Sequence, residues 1–215
     1  MRLADTTQHR ARPGEPRRST VVHLPVLDSD AAVVAAIRAG EAAGGATLYD
    51  RHHAYVRRVL MRVLGPDADL HDLMQEVFVA AIDSIDRLLE PEALRGWLAA
   101  ISVNCVRAEL RRRTRSRLIH LFPHDHLPEV PAPSNTPEVD EAVRATYHVL
   151  GRLGPDERIP FALRFIDGME LTEVASACQV SLATTKRRLA SAQKKFTSIA
   201  QTYPALAAYV KGAAP

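Results

Sequence analysis

A proline-rich segment divides this chain of 215 residues into two halves that carry helical patterns. Five prolines fall between residues 118 and 137: Pro123, Pro128, Pro131, Pro133 and Pro137. Because proline lacks an amide donor and disfavours helix at the residue before it, this segment is predicted to be an extended linker. We therefore expect an all-α protein with two small helical domains, at 29–117 and 138–200. A disordered basic arm at 1–28 and a tail at 201–215 flank them.

The first half has the pattern of a helical bundle. Asp28-Ser29-Asp30 can cap a first helix that runs through Ala39 and is ended by Gly40 or by Gly44-Gly45. Apolar residues at helical spacing then predict amphipathic helices across 48–63 and 67–85. The inward residues of a further helix are predicted to be Leu94, Trp97, Leu98, Ile101, Cys105 and Ala108. Helices of this kind bury each other's apolar stripes.

The second half ends in a helix-turn-helix pattern. Helices across 139–150 and 159–166 precede residues 171–196, which read as two short helices joined by a tight turn. Ser181 is a natural N-cap for the second helix, which carries cations and no acid across 182–196. This layout is typical of a recognition helix that enters the DNA major groove, although a solvated basic helix remains the alternative. The residues predicted to contact DNA are Ser181, Thr184, Thr185, Lys186, Arg187, Arg188 and Ser191.

A second basic element lies at residues 107–117, where six arginines accompany the single acid Glu109, giving a net charge of +5. On the helix that starts near Trp97, Asn104, Arg107, Arg111 and Arg115 recur at helical spacing, opposite the apolar stripe. Concentrated positive charge is the electrostatic signature of a protein that binds nucleic acid. A positively charged helix end that only complements the helix dipole is the alternative. Six arginines exceed what that role requires.

Other features limit the function classes. The two cysteines, Cys105 and Cys178, fall within helical patterns and are expected to be buried reduced thiols. No apolar run approaches the length of a membrane span, and no signal peptide follows the basic N-terminus, so we expect a cytoplasmic protein without membrane insertion. Acids gather off the apolar stripe of the third predicted helix, which alone indicates only a solvated face.

The sequence resembles the bacterial sigma factors of RNA polymerase in three places. Residues 72–78, DLMQEVF, resemble the signature D-L-x-Q-E-V-F, and residues 48–56 resemble the segment before it. The helix from Arg95 to Arg113 is similar to a family helix of pattern W-L-x-x-I-x-x-N followed by R-R-R. The helix-turn-helix is similar to the family's fourth region. Since no third domain intervenes, the chain resembles the extracytoplasmic-function (ECF) group of the sigma-70 family over residues 46–197.

This resemblance implies a transcription initiation factor that binds core RNA polymerase, recognises the minus-ten and minus-thirty-five promoter elements and assists promoter melting. It implies a specificity subunit without catalytic residues, cofactor or metal, since the polymerase is the enzyme. The implied partners are promoter DNA, the clamp helices of the polymerase beta-prime subunit and the flap of its beta subunit. Members of the family commonly also bind an inhibitory anti-sigma protein.

The resemblance also assigns residues to two further surfaces. Residues implied to bind the minus-ten element and a flipped base are Leu88, Leu89, Glu90, Trp97, Asn104, Arg107, Arg111, Arg112, Arg113 and Arg115. Residues implied to bind polymerase are Asp69, Asp72, Leu73, Gln75 and Glu76. The helix-turn-helix is implied to read the upstream, minus-thirty-five element.

The chain departs from the family pattern at a few positions. Gln179 stands where the turn usually has glycine, Thr185 stands where an apolar residue normally packs, and Arg187 replaces a commonly small residue. Three other functions stay open from the sequence. They are a helix-turn-helix regulator that does not engage polymerase, a sigma-like protein that does not melt promoters, and a metal-dependent enzyme. The last would use His124, Asp125 and His126 with His52, His53 and His120, which are ligand types in a poorly framed segment.

Overall fold

A computed structural model describes residues 27–65, 70–119 and 137–211. Within these ranges the chain forms nine α-helices and no strand, which confirms the predicted all-α class. They are α1 (Asp30–Arg38), α2 (Ala42–Leu64), α3 (Leu70–Asp83), α4 (Leu94–Ile119), α5 (Pro137–Leu150), α6 (Pro155–Phe161), α7 (Leu171–Cys178), α8 (Leu182–Ala200) and α9 (Pro204–Lys211). The described residues also form three shorter helical segments, which are 3₁₀ turns at Ile85–Arg87 and Pro91–Ala93 and a π turn at Ala162–Ile166. The predicted arm and nearly all of the predicted linker lie outside the described residues.

The first four helices form the expected bundle. Helices α2, α3 and α4 pack against one another, and α1 lies across α2. Leu48, Val77 and Leu98 are fully buried and represent the apolar stripes that meet in its centre. Ser29 caps α1, because its side chain accepts a hydrogen bond from the amide of Ala32.

Gly40, at φ +74°, follows α1, whereas Gly44 and Gly45 lie inside α2, which begins at Ala42. Ending α1 at Gly44-Gly45, one of the two predicted ends, is therefore wrong. The physical reason for Gly44 is close packing: a Cβ built on it would lie 2.6 Å from the amide nitrogen of Ile37. Only glycine lets the two helices approach this closely.

The last five helices contain the predicted helix-turn-helix, formed by α7 and α8. Val174, Ala175 and Cys178 are buried on α7, Leu171 of the same helix is half-buried, and Leu189 and Ala192 are buried on α8. Helix α9 was not predicted. Its Leu206 packs with Ala145, Val149 and Ala200, so the start of the tail is part of the fold.

Helix α4 joins the two halves into one structure. It packs on α2 and α3 and also on α6 and α7. Val103, Val106 and Leu110 are therefore buried, although the predicted inward face did not include them. Of the predicted inward residues, Trp97, Ile101 and Cys105 are half-buried and Ala108 is exposed. The prediction considered only neighbours from the first domain, and contacts from the second domain moved the buried face.

We expect Gly44→Ala to lower the free energy of unfolding by about 1–3 kcal/mol, because a Cβ there forces α1 away from α2. Chemical denaturation of the full chain measures this. The matched control is Gly96→Ala in α4, where a Cβ meets nothing within 4 Å. That variant should be neutral or stabilising by up to about 1 kcal/mol. Equal losses in both variants would contradict the close-approach explanation.

Candidate nucleic-acid interface

The turn between α7 and α8 sets the direction of the recognition helix. Gln179 is the only non-glycine residue with positive φ among the described residues, at φ 56° and ψ 44°. Glutamine in this left-handed conformation costs about 1 kcal/mol relative to glycine. Ser181 then caps α8, since its Oγ accepts a hydrogen bond from the amide of Thr184 at 3.2 Å. The cap predicted at Ser181 is thus confirmed.

The exposed surface of α8 is smaller than predicted. Lys186 and Arg187 are exposed, and Thr184 is half-buried. Thr185 is fully buried, and its hydroxyl donates a hydrogen bond to the carbonyl of Ser181 at 3.1 Å. Thr185 precedes Leu189 by one helical turn, so it shares the core-facing side and cannot contact DNA in this conformation.

Two acids at the start of α6 hold other polar groups of α8. Glu157 accepts hydrogen bonds from Lys195 Nζ at 2.7 and 2.8 Å and from Ser191 Oγ at 2.7 Å. The hydrogen bond from Lys195 is the main reason that the pKa of Glu157 lies below the usual glutamate value. Arg188 Nη2 lies 3.3 Å from Asp156 Oδ1. Arg188 and Ser191 therefore point toward α6 rather than outward.

The predicted minus-ten residues of α4 meet the second half of the chain. Asn104 Nδ2 lies 3.4 Å from Gln179 Oε1, and Arg107 Nη1 donates to Asn104 Oδ1 at 2.9 Å. Arg107 also donates to the carbonyl of Cys178 and lies 3.9 Å from Asp156. The structure thus brings Asn104 and Arg107 together, and both contact the second half of the chain.

The other arginines of α4 have different surroundings. Arg112 and Arg113 donate to Glu109 at 2.6–2.9 Å, and the hydrogen bond from Arg112 is the main cause of the lowered pKa of Glu109. Arg111 and Arg115 are exposed. They line a cavity of about 560 Å³ between α4 and α6. The basic face of α4 is therefore divided into a paired group and an open group.

The loop before α4 presents one apolar side chain to solvent. Leu89 is 90% exposed and Glu90 is exposed, whereas Leu88 is only 3% exposed and anchors the loop in the core. Arg38 of α1 donates hydrogen bonds to the carbonyls of Ile85 and Leu88. No sequence signal pointed to Arg38, because it lies about fifty residues upstream in a helix outside the resemblance.

The predicted polymerase-binding residues lie on α3. Asp72, Gln75 and Glu76 are exposed, and Leu73 is buried beneath them. Asp69 lies outside the described residues. Beside these polar groups the surface carries exposed apolar side chains, at Tyr49, Val79 and Ile82. An acidic surface that adjoins an apolar patch is typical of a protein-binding site.

The described residues give no support to a metal site. They contain no group of three or more His, Cys, Asp or Glu side chains arranged to hold an ion. His52 is buried near Asp30, and His53 Nδ1 lies 3.1–3.2 Å from carbonyls of its own helix. His120, His124 and His126 lie outside the described residues.

Burial raises the pKa of the Cys178 thiol to about 11. Nowhere in the described ranges is a helix long and apolar enough to cross a membrane.

Two protein-family models match this chain. The family model for Sigma-70 region 2 matches residues 48–116, and the model for Sigma-70, region 4 matches residues 144–196. The chain belongs to the ECF group of the sigma-70 family. The two matches cover the four-helix bundle from α2 onward and the helix-turn-helix, in the family's order.

Similar curated proteins include "ECF RNA polymerase sigma factor SigE" of Mycolicibacterium smegmatis, 32% identical over 146 residues, which are 66% of this chain and 56% of that protein. "RNA polymerase sigma factor NccH" of Alcaligenes xylosoxydans xylosoxydans is 28% identical over 72% of this chain and 86% of that protein. Among solved structures, "Structure of CnrH in complex with the cytosolic domain of CnrY" matches with TM-score 0.55 and 23% identity. It covers 82% of this chain and 99% of that one, which shows a shared fold.

We expect Glu157→Gln to lower the free energy of unfolding by about 1 kcal/mol at pH 7, because the charge-assisted bonds to Lys195 are lost. A carboxylate with a lowered folded pKa stabilises above its unfolded pKa, about 4.3, and that stabilisation is lost as pH falls through the folded value. The difference between wild type and variant should therefore disappear in acid. Denaturation at several pH values measures it.

Glu141→Gln is the control, because Glu141 is an exposed acid of α5 and the variant loses the same charge. It should match wild type at every pH. A Glu157→Gln deficit that stays constant down to low pH would contradict the ion pair with Lys195.

Proposed function

We propose that this chain is a transcription initiation factor that binds core RNA polymerase, recognises the minus-ten and minus-thirty-five promoter elements and assists promoter melting. The observation that carries the proposal is the set of three surfaces in family order on one chain. They are the exposed polar and apolar face of α3, the loop and basic face of α4, and the capped basic helix α8. The chain itself supplies no covalent chemistry and needs no cofactor, and it acts in the cytoplasm.

The polymerase surface is centred on Asp72, Gln75 and Glu76 of α3. These side chains are exposed together on one face, while Leu73 and Phe78 of the same helix are buried. Carboxylates on a rigid helix can pair with cations of a partner, and the adjoining patch at Val79 and Ile82 supplies apolar contact. We assign this surface to the clamp helices of the beta-prime subunit. The second domain is assigned to the flap of the beta subunit.

The minus-ten surface combines a loop and a helix. Leu89 stands out from a loop that is fixed at its base by buried Leu88 and by Arg38. An exposed leucine on a fixed loop can pack against an unstacked base, and flipping costs only a few kcal/mol where the duplex unpairs readily. Asn104, Arg107, Arg111 and Arg115 on α4 supply hydrogen bonds and charge for bases and phosphates. Trp97, half-buried at the start of the same helix, borders them.

The upstream element is assigned to the first turns of α8. Lys186 and Arg187 are exposed there, close to the N-terminus that Ser181 and Thr184 cap. A capped helix end with exposed cations is suited to reach phosphates and base edges in a major groove. Arg188 and Ser191 are assigned to hold α8 on α6, as their bonds to Asp156 and Glu157 indicate.

An anti-sigma protein is a further proposed partner. The similar solved structure holds CnrH in complex with the cytosolic domain of CnrY. This chain shares the fold, and it exposes apolar side chains at Tyr49, Val79 and Ile82 that a protein partner can cover.

Run-off transcription with bacterial core polymerase and a pool of promoter fragments tests the function. Discrete transcripts that require this protein support the proposal. Binding to DNA without binding to polymerase would instead favour an ordinary helix-turn-helix regulator. Binding to polymerase without transcripts would favour a sigma-like protein that does not melt promoters.

We expect the double variant Asp72→Lys/Glu76→Lys to bind core polymerase at least about tenfold more weakly, because like charges then face the clamp. Fluorescence titration with core polymerase measures the affinity. The control is Glu141→Lys, which reverses an exposed charge on α5. Unchanged affinity in the double variant, or an equal loss in the control, would overturn the docking assignment.

We expect Lys186→Ala and Arg187→Ala each to weaken upstream DNA binding and to reduce the salt dependence of the affinity by about one counterion. Lys195→Ala is the control on the same helix, because Glu157 already neutralises its ammonium group. It should leave the salt dependence nearly unchanged. If all three variants show the same change, α8 is not oriented on DNA as proposed.

A further inference from the structure

The loop at residues 88–90, which carries the exposed Leu89, is held between two 3₁₀ turns. Ile85–Arg87 precedes this loop and Pro91–Ala93 follows it, and both turns pack on α1. Leu88 is buried, whereas the neighbouring Leu89 is 90% exposed. A side chain so exposed packs against little that could hold it. The position of Leu89 is therefore set by whatever holds the backbone of the 88–90 loop.

Arg38, the last residue of α1, ties this backbone to the first helix. Its Nη2 donates hydrogen bonds to the carbonyl of Ile85, at 3.3 Å, and to the carbonyl of Leu88. These two carbonyls lie at the start of the 88–90 loop, so one guanidinium nitrogen holds both. A hydrogen bond from a charged donor is stronger than one between neutral groups, and partial burial reduces competition from water.

The helix that presents Arg38 is itself firmly packed. Val33, Val34 and Ile37 of α1 are buried in the core of the first bundle. Gly44 lets α1 lie so close to α2 that a Cβ there would be 2.6 Å from the amide nitrogen of Ile37. Arg38 therefore reaches the 88–90 loop from a rigid support, and the loop is as well placed as the helix.

Two simpler roles for Arg38 explain less. A cation in the last turn of a helix complements the dipole of that helix, but this effect requires no bond to a loop about fifty residues away. Arg38 Nε also lies 3.8 Å from Asp86 Oδ1. Because the Asp86 side chain is 90% exposed, this ion pair contributes little. The bonds to the two carbonyls are the main consequence of an arginine at this position.

We propose that Arg38 is a positioning residue for promoter melting, which holds the 88–90 loop so that Leu89 meets the base that leaves the duplex. This inference rests on the proposed function of the loop. A loop that is already ordered loses less binding energy to ordering when the base arrives. Helix α1 precedes residues 48–116, which match the family model. A helix outside that match thus supports the DNA-melting surface.

Hydrogen exchange of the full chain tests whether Arg38 holds the loop, independently of any function. The amides of Leu88 and Ala93 donate hydrogen bonds within the two turns. We expect them to exchange about three- to tenfold faster in Arg38→Met, which keeps an apolar stem and loses the donors. Arg38→Lys keeps a charged donor and should recover part of the protection. Amides in the middle of α2 are the internal reference and should not change.

Asp86→Asn is the matched control for hydrogen exchange, because it removes the ion pair with Arg38 and leaves the bonds to the carbonyls. It should exchange like wild type. Unchanged exchange of the loop in Arg38→Met, or an equal increase in Asp86→Asn, would overturn the positioning role.

The rate of open-complex formation tests the role in melting. The probe is a promoter fragment that wild type transcribes with core polymerase, carrying a fluorescent base analogue in the minus-ten element. Arg38→Met should slow opening about three- to tenfold, while its affinity for polymerase equals that of wild type. In a Leu89→Ala background the same change should slow opening by less than about twofold, because the group that Arg38 positions is gone.

Equal slowing in both backgrounds would show that Arg38 does not act through Leu89 and would overturn the inference. Unchanged opening in Arg38→Met, together with faster exchange of the loop, would overturn the role in melting. If wild type gives no transcript with core polymerase, the proposed function fails instead. The exchange experiment then still decides whether Arg38 holds the 88–90 loop.

Discussion

Helix α4 has to satisfy opposite demands along one stretch of chain, and the remaining structure follows from how it does so. Leu98, Val103 and Val106 are buried, and α4 packs on α2 and α3 as well as on α6 and α7. The same helix carries arginines that cannot be buried without a partner. In the second half of α4, Arg112 and Arg113 are paired with Glu109. The other arginines lie at the edge of the interface. A single helix thus joins the two domains and presents the basic surface.

Carboxylates decide which cations remain available for DNA. Glu157 holds Lys195, Asp156 approaches Arg107 and Arg188, and Glu109 holds the arginine pair of α4. Net charge over the chain is only +3, so counting cations overestimates the surface that nucleic acid meets. On α8, exposure and pairing leave Lys186, Arg187 and Lys194 as exposed cations that form no ion pair with a described residue. Charge that is already neutralised in the folded protein releases few counterions on binding.

Much of this could be predicted from the sequence, because local signals determine local structure. The cap at Ser181, the helical periods and the buried faces of α7 and α8 depend on neighbours within one or two turns. Long-range contacts were not predictable. In the sequence, Gly44 has the character of a helix end, whereas in the structure a Cβ built on it would lie 2.6 Å from α1. Nothing in the sequence pairs Arg38 with the loop before α4. Helix α9 spans only eight residues, so a periodic pattern has little room to show. The burial of Thr185 was suggested by its spacing from Leu189 and by the apolar residue that the family usually has at its position.

The free chain exposes both the proposed polymerase surface on α3 and proposed DNA-binding cations such as Arg111, Lys186 and Arg187. The most direct measurement is a paired titration of the wild-type chain, first with core polymerase and then with a promoter fragment, with and without polymerase present. We predict tight binding to polymerase, weak binding of the free chain to the promoter, and strong promoter binding by the complex. Promoter binding by the free chain that is as tight as binding by the complex would contradict the proposed role as a specificity subunit that acts through polymerase.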